Sequence, residues 1–401
     1  MGGHTLHIDI AIIGGGVAGL WALNQLRNRG YSAALFEQRA LGSYQTIGSQ
    51  GMIHGGVKYA LAGAWRGDAQ TISAMPAAWR RCLAGTGAVD LRGCRVLSEE
   101  FFLWSSGDLQ SRLGAFFASQ LLRGHVRKVA SKDYPAPLRS GQFRGQVYRL
   151  ADLVLDVHSL VNTLASRQRD AIFAIDWARA GLRREGRQAV LALPDCTVVP
   201  QQLLLTAGAG NEHLVAGLAS TRPQMQRRPL QQVLVRHHYQ EPFYGHCMGT
   251  NPSPRLTISS HRDHTGQPVW YLGGDLSTGA ADASPQQLIL RAQEELAGLM
   301  PWLDLGASEW ATLKLDRAEP RQSTLLRPER AYVGKLDGVE NARAAWPTKL
   351  TLCPDLGDEI LQQLASEQIL PRHPQELAAL DHLGRPGVAT PYWDTLFPCA
   401  G

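Results

Sequence analysis

The sequence predicts an α/β protein, α+β over its whole length, and three observations near its start predict it. Residues 8 to 13, IDIAII, are almost all β-branched or apolar, as in a parallel strand covered on both faces. A glycine-rich turn, GGGVAG, follows at once, and VAGLWALNQLRNRG behind it reads as a helix that Gly30 stops. A second apolar strand, YSAALFE, then ends on Glu37. Strand, turn, helix and strand in that order make a Rossmann-type βαβ unit.

Each part of the unit has a physical reason. Gly14 permits the tight turn, Gly16 lets backbone approach a pyrophosphate, and Gly19 lets the helix pack closely on the sheet. With Val17 and Ala18 they form the expected diphosphate cradle. Glu37 stands where a carboxylate can bond both hydroxyls of an adenosine ribose, with Gln38 and Arg39 beside it. The same carboxylate would repel a 2′-phosphate, so FAD and NAD remain and NADP is disfavoured.

At 401 residues, two domains are expected. Hydrophobic residues at 44% and charged residues at 19% leave no room for a long disordered charged tail. The excess of 40 Lys and Arg over 35 Asp and Glu is mild and dispersed, which suits small anionic ligands and does not demand nucleic acid. The basic runs RGHVRK and RAGLRREGR lack interleaved aromatics and read as solvated loops, with contact to a membrane surface or RNA as the other reading. Six cysteines show no CxxC pair and no zinc spacing, so no metal site is expected and the thiols suit a cytoplasmic protein. No stretch has the length of apolar residues that a membrane span needs.

The segment after the second strand separates FAD from NAD. An NAD dehydrogenase would continue with βα repeats, whereas this chain continues GSYQTIGSQGMIHGGVKYAL, a Gly/Ser-rich loop able to lie against a flat ring. That run resembles the flavin loop of the D-amino-acid oxidase superfamily, and IHGGVKY resembles a segment of FAD-dependent glycerol-3-phosphate dehydrogenases. L-2-hydroxyglutarate oxidases carry a similar His-x-Gly loop. In the superfamily's order follow VYRLADLVLDVHSLVNTLA (147–165), QQLLLTAGAG (201–210) and WPTKLTLCPDLGDEILQQL (346–364). In the last, Pro347 and Thr348 replace the glycines of the family's GGKLT.

The resemblance implies an FAD domain assembled from 1–80, 147–222 and 330–366. A substrate domain on a mostly antiparallel sheet would take 81–146 and 223–329, leaving 367–401 as a surface tail. RPLQQVLVRHHY, RLTISSH and PVWYLGGD read as strands of that sheet, and LQSRLGAFFASQLL and SPQQLILRAQEELAGLM as amphipathic helices. Ser49, Gln50, Gly51, Met52 and His54 would contact FAD from the loop. Ala207, Gly208 and Gly210 would pass the adenosine diphosphate, and His213 in the third glycine position argues against a second dinucleotide site. Thr348, Lys349, Leu350 and Thr351 would flank the flavin, with Lys349 and the helix opening near Pro354 and Asp355 stabilising charge on the reduced ring.

The resemblance also implies an FAD-dependent dehydrogenase or oxidase that moves a hydride from a CH–OH or CH–NH group to flavin N5. His54 could act as base, contact the flavin without covalent bonding, or be tethered to it. Lys58 and Tyr59 match an Arg and a Tyr that face the substrate in the glycerol-phosphate enzymes. One of Arg317 and Arg321 is expected to grip an anionic substrate, and of His237, His238 and His246 on the predicted strands, His238 is taken as a substrate contact. The electron acceptor is open: oxygen, a quinone or a carrier. Two other readings are a flavoprotein that modifies tRNA and an FAD-binding subunit that needs a partner.

Overall fold

The computed structural model describes residues 4–56, 69–105, 126–249, 253–278, 283–321 and 330–398. Lys58, Tyr59 and the helix expected over LQSRLGAFFASQLL lie outside them. The βαβ unit forms as β1 (His4–Ile13), α1 (Val17–Asn28) and β2 (Ala33–Glu37), with β1 and β2 parallel. Ile8, Ile10 and Ile12 are fully buried, as are Ala11 and Leu35, because the sheet is covered on both faces.

The sheet runs in the order Gly181–Glu185, Gln188–Ala192, Cys196–Leu205, β1, β2, Ile172–Ala174. Val339–Trp346 pairs parallel to the far end of Cys196–Leu205, so segments far apart in the chain complete it. Helix α1 is buried along Val17–Leu26 and therefore has to satisfy its polar side chains internally. Asn24 donates to the Leu164 carbonyl at 2.9 Å in the helix Val157–Arg167, and Gln25 donates to Asp358 at 2.8 Å in the helix Cys353–Ser366. The run RAGLRREGR forms half of an exposed hairpin at the sheet edge and not a loop.

A second eight-stranded sheet runs Glu309–Pro320, Met225–Arg236, Pro268–Gly273, Pro254–Arg262, Tyr244–Met248, Phe101–Ser105, Gln146–Leu150, Val126–Lys128. Its neighbours are antiparallel except for the parallel pair Tyr244–Met248 and Phe101–Ser105. One face carries the expected helix Pro285–Leu299, whose Leu288, Ala292, Leu296 and Leu299 pack with Val233, Val235, Ile258 and Leu272. That helix opens with a capping box between Ser284 and Gln287. Gly298 near its end is exposed, and a Cβ there would meet nothing within 4 Å. Gly298→Ala is expected to stabilise the protein by about 0.5–1 kcal/mol in urea unfolding, through the lower helix propensity of glycine.

The opposite face of this sheet is a ladder of cross-strand pairs, Thr257 with Gly273, Ser259 with Tyr271 and His261 with Val269. Its first rung opens on a cavity and its last lies under the chain's C-terminal residues. Those residues are not the surface tail expected. Leu377, Leu380, Trp393 and Phe397 are buried, and the helix Tyr392–Leu396 packs on Leu234, Val269 and Tyr271. Asp9, a buried carboxylate inside β1, accepts the Arg372 and His373 amides at 3.0 and 3.2 Å and fixes the start of that segment. Among the described residues no helix is long and apolar enough to cross a membrane.

Candidate active site

A cavity of about 1140 Å³ runs from the end of β1 to the inner face of the second sheet. Pockets for one small molecule usually occupy roughly 300–1,000 Å³, so this one has room for a large cofactor and a substrate together. Its floor is the turn after β1. Gly14 holds a left-handed φ of 112°, and a Cβ there would sit 2.6 Å from Ala207 Cα, which keeps backbone at the surface. Gly16 is the N-cap of α1 and has no side chain to cap it; Thr46 Oγ1 accepts the Val17 amide at 3.1 Å, and the start of the helix, with Val17 and Ala18, stands in the wall with its dipole toward the cavity. This arrangement suits a diphosphate. Gly19 is absent from the wall. It lies one turn back, where a Cβ would overlap the Gly14 carbonyl oxygen and stand 2.7 Å from Thr206 Oγ1.

Glu37, Gln38 and Arg39 line one end. The Glu37 carboxylate accepts the Gly15 amide at 2.6 Å and the Arg39 amide at 2.8 Å, which fixes it at the mouth of the turn. Beyond it, Trp177, Leu182 and Leu214 form an apolar slot that the sequence did not announce. Ala207, Gly208 and Gly210 line the side of this end, and His213 joins them. Gly208 is left-handed at φ 58°, and its carbonyl accepts Trp346 Nε1–H at 3.1 Å.

The Gly/Ser loop forms the middle of the wall and is stitched in place along its length. The Gly48 carbonyl accepts the Tyr271 hydroxyl at 2.8 Å, and Gln50 Nε2 donates to the Tyr271 carbonyl at 2.7 Å. Met52 and Ile53 pair with Leu153–Leu155, which brings Gly51 so close to Leu155 that a Cβ would overlap its carbonyl oxygen. Gly51 thus packs behind the wall, while Ser49, Gln50, Met52 and His54 stand in it. The His54 amide donates to Thr351 Oγ1 at 3.2 Å, and Asp152 takes the Gly55 amide at 2.8 Å.

Thr348, Lys349, Leu350 and Thr351 continue the wall beside the loop, to which Thr351 is bonded. Thr348 holds φ 62°, a left-handed conformation that a β-branched residue rarely adopts. Its backbone takes a path that suits glycine, and its buried hydroxyl donates to a backbone carbonyl, Pro347 at 2.6 Å or Arg330 at 3.1 Å. Pro354 and Asp355 do not reach the wall; Asp355 is buried and accepts the Ala331 amide at 2.8 Å.

The far end is walled by the second sheet. Gln232, His246, Thr257 and Gly273 come from four of its strands, and Lys314, Asp316 and Arg317 from the edge strand. His246 is fully buried, its Nδ1 is 2.8 Å from Thr257 Oγ1, and its ring centroid is 6.3 Å from that of His54. Arg317 donates to the Thr348 carbonyl at 3.3 Å and lies 3.8 Å from Glu319, a buried carboxylate that also pairs with Arg228. Arg321 and His238 are corrections. Arg321 follows the edge strand and turns outward to Gln224, and His238 is exposed beyond the end of its strand, against Tyr239. His237 is buried on Trp270, away from the cavity. His246 and Lys314 are among the wall residues that the sequence reading missed as contacts, with Arg227, Gln232 and Thr257, because only the strand register brings them there.

The description FAD dependent oxidoreductase, the DAO family, matches residues 9–313. Over 397 residues the chain is 45% identical to the probable FAD-dependent oxidoreductase PA4991 of Pseudomonas aeruginosa, covering 98% of this chain and 99% of that one. The crystal structure of PA4991 superposes with a TM-score of 0.83 over 98% of this chain and 99% of that one, at 40% identity. Glycine oxidase of Geobacillus kaustophilus shares the fold at 17% identity and a TM-score of 0.64, over 95% of this chain and 100% of its own. The FAD-bound L-α-glycerophosphate oxidase of Mycoplasma pneumoniae does so at 12% and 0.63, over 90% and 95%. With this match, this relative, and a glycine cradle at the start of α1 that opens on a cavity large enough for a dinucleotide, the chain belongs to the DAO family of FAD-dependent oxidoreductases.

Proposed function

We propose that the protein oxidises a CH–OH or CH–NH group of a small anionic metabolite at the far end of this cavity. The observation that carries the reading is the charge of the wall. Arg39, Arg227, Lys314, Arg317 and Lys349 line the cavity with His54 and His246, against two carboxylates, Glu37 and Asp316, among the described lining residues. In this reading residues 43–54 lie against the flavin ring, and Gly14–Ala18 and Glu37 hold the adenosine diphosphate. The bound flavin supplies the two-electron acceptor for a hydride.

The protein's own groups do the rest. Arg317, steadied by Glu319, pairs with the substrate's carboxylate or phosphate and orients the molecule. His54 receives the proton from oxygen or nitrogen, and Lys349 offsets negative charge at the pyrimidine edge of the ring. The division into an FAD part (1–80, 147–222, 330–366) and a substrate part (81–146, 223–329) belongs to the same proposal. So does a cytoplasmic location, which suits the thiols of Cys82, Cys94, Cys196, Cys247 and Cys353.

Anaerobic mixing with 2-hydroxy acids, amino acids and glycerol 3-phosphate tests the substrate class. Bleaching of the flavin by a member of the panel supports it, and a flavin that stays oxidised with all of them overturns it. With the reactive member, Arg317→Ala is expected to raise KM about 10- to 100-fold with a smaller change in kcat, and Arg317→Lys to recover part of the loss.

A further inference from the structure

The C-terminal segment sits behind the Gly/Ser loop on the side away from the cavity. It first grips the base of the loop. Leu41 and Val388 form a parallel bridge in which the Leu41 amide donates to the Gly387 carbonyl at 2.7 Å and the Ala389 amide donates to Leu41 at 2.9 Å. Leu41 in turn packs on the turn after β1, where its side chain would stand 2.5 Å from a Cβ on Gly15. Further along, the Tyr392 ring lies 3.3 Å from where a Cβ on Gly48 would be.

Trp393 then reaches the loop through the ladder of the second sheet. Its buried ring stacks on His261, with centroids 4.2 Å apart and planes at 20°. His261 Nε2 is 3.0 Å from Ser259 Oγ, and Ser259 Oγ accepts from Gln50 Nε2 at 3.2 Å. Gln50 lines the cavity. One face of the sheet thus carries, in sequence, the cavity wall, the loop and the helix Tyr392–Leu396. The loop is held between the other two.

We propose that residues 387–397 are a positioning strap for the flavin loop, and that Trp393, through His261 and Ser259, sets the place of Gln50 in the cavity wall. The proposal rests on the reading that residues 43–54 lie against the flavin ring. Trp393 and His261 touch neither cofactor nor substrate and act only through Gln50. A strap that merely covers apolar surface would change stability and nothing at the flavin.

The test uses full-length holoprotein and four variants: Gln50→Leu, Trp393→Leu, which keeps apolar bulk but removes the stacked ring, Trp393→Phe, and the Gln50→Leu/Trp393→Leu pair. Three quantities are read: the visible spectrum of the bound flavin, its midpoint potential in a dithionite titration, and the dissociation constant for FAD. Gln50→Leu and Trp393→Leu are expected to shift band positions and potential in the same direction and to weaken FAD about tenfold. Trp393→Phe should restore the parental values, and the double variant should add little to either single one. If Gln50→Leu shifts the flavin and Trp393→Leu changes only thermal stability, the strap proposal is overturned. If Gln50→Leu itself leaves spectrum, potential and affinity untouched, the placement of the loop fails and the strap with it.

Discussion

A Gly19→Val protein is expected to purify without FAD and to have lost more than about 3 kcal/mol of stability, the scale of overpacking against atoms that cannot move aside. A Cβ at this position would overlap the carbonyl oxygen of Gly14 and crowd Thr206 Oγ1 at 2.7 Å. Both belong to the crossing of β1, α1 and Cys196–Leu205, where Thr206 Oγ1 stands 2.9 Å from the Gly14 carbonyl. Relief requires lifting α1 from the sheet, and that moves the start of the helix away from the proposed diphosphate site. Urea unfolding and the flavin content of the purified protein read the two effects separately. Parental stability with full flavin occupancy would show that the helix does not need this close approach.

Stability is expected to fall steeply as the pH drops from about 6.5 to about 4, and two histidines outside the active site carry the effect. Burial pushes His261 down to about 4 from the ordinary value near 6.5. Burial, and then the neighbouring His238, push His237 down to about 4 as well. A folded-state pKa below the unfolded value means that the unfolded chain binds more protons between pH 4 and 6.5. The contribution is therefore whole above pH 6.5 and lost as the pH falls toward 4, at about 3 kcal/mol for each ring. His237 packs 4.3 Å from Trp270 and accepts the Tyr239 amide at 3.1 Å, and His261 lies between Trp393 and Ser259. A His237→Gln/His261→Gln protein is expected to be less stable at pH 8 yet flatter across this window. Urea midpoints at half-unit intervals check it, and an unchanged slope in the double variant would contradict the assignment.

The βαβ unit was legible because its signal is local. Six strand residues, three glycines and a carboxylate within thirty-seven positions each have a steric or hydrogen-bonding reason, and the fold uses all of them. The Gly/Ser loop was legible in composition but not in support. Nothing near Gln50 in the chain says that its amide will meet Ser259 and Tyr271, more than two hundred residues on. The substrate end was least legible. His237, His238 and His246 look alike as histidines of strand-rich segments, and only sheet register puts His246 on the cavity face. Arg317 and Arg321 differ in the same way, since Pro320 ends the edge strand between them. The C-terminal residues misled for a different reason. Their Pro, His and Gly content suggests exposure, while sparse anchors such as Leu380, Trp393 and Phe397 bury themselves from helical turns too short to show a period in the sequence. Thr348 shows the converse case, a β-branched residue held in a left-handed conformation by tertiary contacts.

The central claim is that the turn Gly14–Ala18 and Glu37 hold the adenosine diphosphate of FAD in this cleft. Titration of flavin-depleted protein, followed by flavin fluorescence, tests it most directly. One equivalent of FAD should bind, ADP should compete for it, FMN should bind far more weakly, and acid precipitation should return the flavin to the supernatant. A protein that takes up no FAD, or that binds FMN as tightly as FAD with no competition from ADP, would contradict it.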